Sequence, residues 1–194
     1  MSAVARTEPA KVKERFGDAL LKVKEFRGET FLCVQREKIV EVIEFLKNEL
    51  GYDYFSECLG ADYSQWPHER DLPERFEVIY NLMSVATASR IFVKIGVEDG
   101  QTVPTLKHVF LGAEYPEREV NDLYGVIFEG NEQTGRFLLP DDWVGYPLRK
   151  EYPLGGEDVL FDRNERGPAV EDLMRPHAGE SFEGKTGSED VSGR

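Results

Sequence analysis

The sequence predicts an α+β fold, a two-layer sandwich of helices on a mixed or antiparallel sheet with an extended C-terminal tail. Three observations predict it. The local order runs helix, strand, helix and then several strands, without the regular strand–helix alternation that a doubly wound parallel sheet requires. Apolar residues recur at helical spacing over residues 36–50 and alternate over residues 76–97. From Gly155 onward, forty positions hold seven glycines, ten acidic and five basic residues, a composition that cannot build a core.

Each element has its own signal. Pro9 suits a first turn, and Val12, Phe16, Ala19, Leu20, Val23 and Phe26 recur at helical spacing until Gly28, so a helix is expected to fill most of residues 1–28. Thr30 to Val34 reads as a short strand. Ile39, Ile43, Leu46 and Leu50 line one face of a second helix that Gly51 ends. Tyr52 to Tyr63 is aromatic and partly alternating, a strand with an irregularity expected at Gly60. Phe76, Val78, Tyr80 and Leu82 share one strand face, and Ile91, Val93, Ile95 and Val97 repeat the pattern. Ala86-Thr87-Ala88-Ser89 joins these two strands as a hairpin. Thr105 to Ala113 can form a helix, and Pro116 starts another that Gly125 terminates. The expected division is an N-terminal helix over 1–28, an α+β core over 29–130, an extended partner-binding arm over 131–178, and an acidic tail over 179–194 that is disordered in isolation.

Composition removes several functions. Thirty-seven acidic against 24 basic residues give a net charge of −13, which disfavours the counterion-releasing contacts of nucleic-acid binding. Cys33 and Cys58 lie far apart with no ligand spacing around them, so neither a zinc ribbon nor a cysteine-held iron–sulfur cluster is expected. His68, His108 and His177 sit in separate segments and read as surface or turn residues. No glycine-rich loop suited to a dinucleotide follows a strand. Gly125-Val-Ile-Phe-Glu-Gly130 has phosphate-loop glycine spacing, but Asn131 and Glu132 stand where Lys and Ser or Thr are required, so it reads as turns. No apolar run reaches the ~18 residues of a membrane span, and the first residues lack a signal-peptide core.

The informative stretches are Glu117-Arg118-Glu119-Val120-Asn121-Asp122-Leu123-Tyr124-Gly125 and Gly145-Tyr146-Pro147-Leu148-Arg149-Lys150-Glu151-Tyr152-Pro153, with Trp143 just before the second. On a helix Arg118 lies one turn from Asp122, an exposed pair worth only about 0.2–0.5 kcal/mol. In the second stretch two prolines stiffen a segment that displays aromatic residues and arginine, the residue types of interface anchors.

At these residues the chain resembles the 30 kDa subunit family of the proton-pumping NADH:quinone oxidoreductase, respiratory complex I. The likeness runs from about Phe31 to Leu154 and is carried by a Glu-Arg-Glu-x-x-Asp-aromatic-Gly-type helix and a Gly-x-Pro-Leu-Arg-Lys-acidic-aromatic-Pro ending. After Gly130 the family usually carries His and, four residues later, a basic residue; here Asn131 and Gly135 stand there, with Arg136 placed to replace the cation.

The resemblance implies a structural subunit of the hydrophilic arm, on the cytoplasmic face of the cell membrane, that docks on the large subunit beside the quinone site and contacts the cluster-carrying subunits. It implies no catalytic, cofactor-binding or metal residues in this chain, with FMN and iron–sulfur clusters in neighbouring subunits. Electron transfer from NADH to quinone, coupled to proton translocation, would belong to the assembly. The expected partner-binding residues are Glu117, Arg118, Glu119, Asp122, Tyr124, Gly125, Trp143, Tyr146, Pro147, Leu148, Arg149, Lys150, Tyr152 and Pro153. Two alternatives are the equivalent subunit of a membrane-bound hydrogenase-type complex, and a free-standing acid/base enzyme using carboxylates of the Trp66–Asp71 loop.

Overall fold

A computed structural model describes residues 7–132 and 135–153. The elements in order are α1 (Glu8–Phe16), β1 (Leu20–Phe26), β2 (Glu29–Val34), α2 (Ile39–Asn48), β3 (Tyr54–Asp62), β4 (Phe76–Ser84), β5 (Ser89–Val97), β6 (Thr102–Pro104), α3 (Glu114–Tyr124) and β7 (Ile127–Glu129), with single 3₁₀ turns before β1, α2 and α3. Five strands form one sheet in the order β1-β2-β5-β4-β3. Its only parallel pair among the described residues is β2 with β5, so the sheet is mixed, as the α+β reading requires. The expected acidic tail over 179–194 and the arm beyond Pro153 lie outside the described residues.

The core follows the sequence pattern where one period dominates. Ile39, Val42, Ile43 and Leu46 of α2 are fully buried, and they meet the sheet face made by Leu32, Val34, Val78, Tyr80, Leu82, Ile91, Val93 and Ile95. Burying one such side chain stabilises by about 1.5–3 kcal/mol, so this contact dominates the fold. The β4–β5 hairpin is continuous from Phe76↔Val97 to Ser84↔Ser89.

Four expectations are corrected. The N-terminal helix ends at Phe16, and residues 20–26 are the edge strand β1 rather than more helix. Ala19, Leu20, Val23 and Phe26 satisfy a helical period, but Arg27 and Gly28 both take positive φ (52° and 83°), forming a tight turn that pairs β1 with β2. Residues 1–28 are therefore no separate helix, because β1 completes the sheet. Thr105 to Ala113 holds only turns and one 3₁₀ turn, since Leu106 and Phe110 are drawn into the core, and α3 begins at Glu114. Between Gly125 and Gly130 lies β7, which pairs in parallel with β6. The irregularity in β3 falls between Phe55 and Glu57, not at Gly60. Gly60 instead admits α3: a Cβ there would lie 2.6 Å from the Tyr124 ring.

Candidate functional site: the seat of the arm on helix α3

Helix α3 turns its motif residues in different directions. Glu117 is fully buried and accepts hydrogen bonds from Thr105 Oγ1 (2.5 Å), the Leu106 N–H (2.7 Å) and Asn131 Nδ2 (2.9 Å). Burial pushes its carboxyl above the ordinary range, against the pull of these donors. Asn131 Nδ2 also donates to the Glu114 carbonyl at 3.0 Å, so the residue standing in the family's His position ties β7 to α3.

Asp122, also buried, takes the opposite course. Its Oδ2 accepts the backbone N–H groups of Phe137, Leu138 and Leu139 at 3.2, 2.7 and 2.9 Å, and Arg136 Nη1 reaches Oδ1 at 3.1 Å. Burial alone would raise its pKa, but these donors hold the carboxyl below its ordinary value. Arg136 thus supplies the cation that Gly135 cannot, and it also binds the carbonyls of Trp143 (3.0 Å) and Gly145 (2.8 Å). The expected Arg118–Asp122 pair does not form, because Arg136 and three amides already saturate that carboxylate.

The end of α3 is the junction of the two motifs. Gly125 closes the helix in the left-handed conformation at φ 78°, with its N–H on the Asn121 carbonyl at 2.8 Å. A Cβ there would lie 2.6 Å from Tyr146 and 2.8 Å from Arg149 Nη2, so glycine serves both the backbone and the close approach of the arm. Arg149 Nε donates to the Tyr124 carbonyl at 2.7 Å, a favourable place for a cation at a helix C-terminus. Its other nitrogens bind Asp99 at 2.8 and 3.1 Å, and its guanidinium lies 4.7 Å from the Tyr146 ring and 5.1 Å from Phe76.

One step further along, the Lys150 N–H donates to Asp62 Oδ2 at 2.9 Å, and Arg75 clamps Asp62 at 2.9 Å while also pairing with Glu151. Against the cost of burial, Arg75 and the amides of Lys150 and Ser64 hold the Asp62 carboxyl far below its usual value. Tyr152 closes over Gly145, where a Cβ would come within 3.0 Å of its ring.

The geometry therefore sorts the expected partner-binding residues. Glu117, Asp122, Gly125, Arg149 and the rings of Tyr124, Tyr146 and Tyr152 are engaged within the chain, and Trp143 and Pro147 are half-buried beside them. Glu119, Leu148, Lys150 and Pro153 face outward, and Arg118 lies at the rim of α3. Sequence reading misses Asp62, Arg75 and Asp99. Each sits at a strand end with no local motif, and Asp62 lies 88 positions from its partner Lys150. In the Trp66–Asp71 loop, Asp71 pairs with Lys22 (2.8 Å) and Lys24 (3.1 Å), which hold its carboxyl below the ordinary range despite burial. Cys33 and Cys58 are buried free thiols, and burial pushes Cys33 up to about 11.

Over residues 32–158 the chain matches the family described as the respiratory-chain NADH dehydrogenase 30 kDa subunit. It is 42% identical over 159 residues to an NADH-quinone oxidoreductase subunit of Roseiflexus castenholzii, spanning 80% of this chain and 88% of that protein. The corresponding subunit of Geobacter metallireducens is 45% identical over 149 residues, 75% of this chain and 88% of the relative. Among solved structures, a trypsin-resistant fragment of Nqo5 superposes with a TM-score of 0.57 at 30% identity, covering 64% of this chain and 97% of the fragment.

Proposed function

The chain belongs to the 30 kDa subunit family of the respiratory-chain NADH dehydrogenase, complex I, and we propose that it works there as a non-catalytic brace of the hydrophilic arm. In this reading it docks on the large subunit beside the quinone site, also touches the cluster-carrying subunits, and lies peripherally on the cytoplasmic face of the membrane. Flavin and clusters belong to the neighbours. Among the described residues no helix is long and apolar enough to cross a membrane, and no group of three or more His, Cys, Asp or Glu is placed to hold a metal.

One observation carries the reading. Asp122 of the first block, and Arg149 with the Lys150 N–H of the second, are spent fastening residues 136–152 onto α3 and the sheet end, leaving outward the side chains of Leu148, Lys150 and Pro153. Such a seat holds residues 136–152 in one arrangement, so a partner meets a preorganised surface and binding loses less entropy. For the acid/base enzyme of the Trp66–Asp71 loop, Asp71 already serves a structural contact to Lys22 and Lys24.

Arg149→Glu tests it. The substitution removes the bond to the Tyr124 carbonyl and sets a carboxylate against Asp99, and assembled complex recovered from native membranes should fall severely, with NADH:quinone reductase activity falling in proportion. Normal yield with normal activity would refute the bracing role. Co-elution of a nickel–iron large subunit in place of NADH-binding partners would instead favour the hydrogenase-type complex.

A further inference from the structure

We propose that the rim formed by Arg118, Tyr115, Phe137 and Leu138 seats an apolar segment of another subunit of the enzyme, and that this segment brings a carboxylate to Arg118. The proposal rests on the reading of the chain as an assembly subunit and adds the chemistry of one contact. The Arg118 guanidinium lies 5.0 Å from the Phe137 ring and 5.9 Å from the Tyr115 ring, and those rings are 5.5 Å apart. Its Nε is shut away from solvent and has no hydrogen-bond partner among the described residues.

The carboxylates one turn away on the same helix are not spare for it. Glu114, one turn earlier, is paired with Lys107 at 3.1 Å, and Asp122, one turn later, is taken by Arg136 and three backbone amides. Arg118 thus meets no acid among the described residues, although the chain holds 37 acidic residues. The surrounding surface is apolar and open: Tyr115 is 56% exposed, Leu138 55% and the adjacent Leu111 82%. Arginine and aromatic residues together are the composition of interface hot spots, and a guanidinium already stacked on rings gives up little freedom when it binds.

Charge complementarity selects the occupant. The guanidinium calls for a planar two-oxygen acceptor, which a carboxylate supplies bidentately. A polyanion or an anionic lipid surface would be repelled by the net charge of −13, whereas one Asp or Glu on an apolar segment adds little repulsion and covers the exposed rings. The Arg118 side of the contact forms only because the arm lies on α3, since Phe137 is placed by its N–H bond to Asp122.

The test uses the enzyme solubilised from native membranes with the full-length chain as wild type, Arg118→Gln or Arg118→Lys, together with a photoreactive benzoylphenylalanine at position 138. Loss of a desolvated charge pair predicts dissociation of the Arg118→Gln chain faster by at least about thirty-fold, and Arg118→Lys should resemble it because an ammonium neither stacks nor forks. The cross-link from position 138 should land on a neighbouring subunit within a few residues of an Asp or Glu. Wild-type retention of Arg118→Gln, or cross-linking to lipid, to a second copy of this chain or to a segment lacking acids, would overturn the proposal. So would a melting curve of the isolated Arg118→Gln chain lowered enough to account for the loss. Absence of the wild-type chain from the purified enzyme would overturn the subunit reading itself, and this contact with it.

Discussion

Asp122 and Glu117 lie little more than one turn apart on the same helix, yet their environments drive them in opposite directions. Asp122 is met by an arginine and three amides, so its ionised form is the stable one; Glu117 is met by neutral donors in a buried setting, so burial dominates. Asp122→Asn keeps the shape but turns an amide nitrogen toward either Arg136 or the three N–H groups. Losing either the Arg136 bond or the amide bonds costs roughly 1–3 kcal/mol. The urea midpoint of the isolated chain should drop accordingly, and trypsin should cut after Arg136 much faster than in the wild type. An unchanged cleavage rate would show that Asp122 does not hold the arm.

Helix α3 is the element on which everything near the site depends, and two glycines set its approach. Gly60 lets Tyr124 and Val120 lie against β3, and Gly125 both ends the helix and receives Tyr146. Gly60→Ala is expected to cost about 1–3 kcal/mol by overpacking, lifting the helix from the sheet. Gly125→Ala carries a left-handed backbone cost of about 1–3 kcal/mol and also displaces the arm, so its effect on arm proteolysis should exceed that of Gly60→Ala even where their melting temperatures fall alike. Limited trypsin digestion beside thermal melts separates the two.

At the scale of the whole molecule these carboxylates set the response to pH, with two opposite signs. Asp62, Asp71 and Asp122 have folded values below their unfolded one of about 3.9. Their contribution is fully present above that pH and is lost as pH falls through the lower folded values. Glu117 has a folded value above the unfolded one of about 4.3, so its contribution is lost as pH rises from there through the raised value. Urea midpoints measured against pH should therefore rise as pH falls from neutral toward about 4, then decline. Glu117→Gln should abolish the rise and leave the acid decline, and a flat profile in the wild type would contradict the assignment.

How much of this can be read along the chain follows from how far apart the deciding groups are. The stripe of α2 and the β4–β5 hairpin are legible because each element's own period names its buried face and a short turn supplies its partner. The two motif blocks are legible as a pair, and Arg136 as a replacement cation. Residues 20–26 satisfy helical spacing, and pairing with β2 decides for a strand. That Glu117, Asp122 and Arg149 turn inward, and that Asp62, Arg75 and Asp99 receive the arm, is not legible, because those contacts join residues far apart in sequence and carry no local pattern. Composition and short-range periodicity suffice for the fold class, and the two motif blocks suffice for the family, because each of these signals is complete within a few neighbouring residues. Which motif residues brace the chain and which face outward is settled by packing, since burial belongs to the assembled layers and to no single segment.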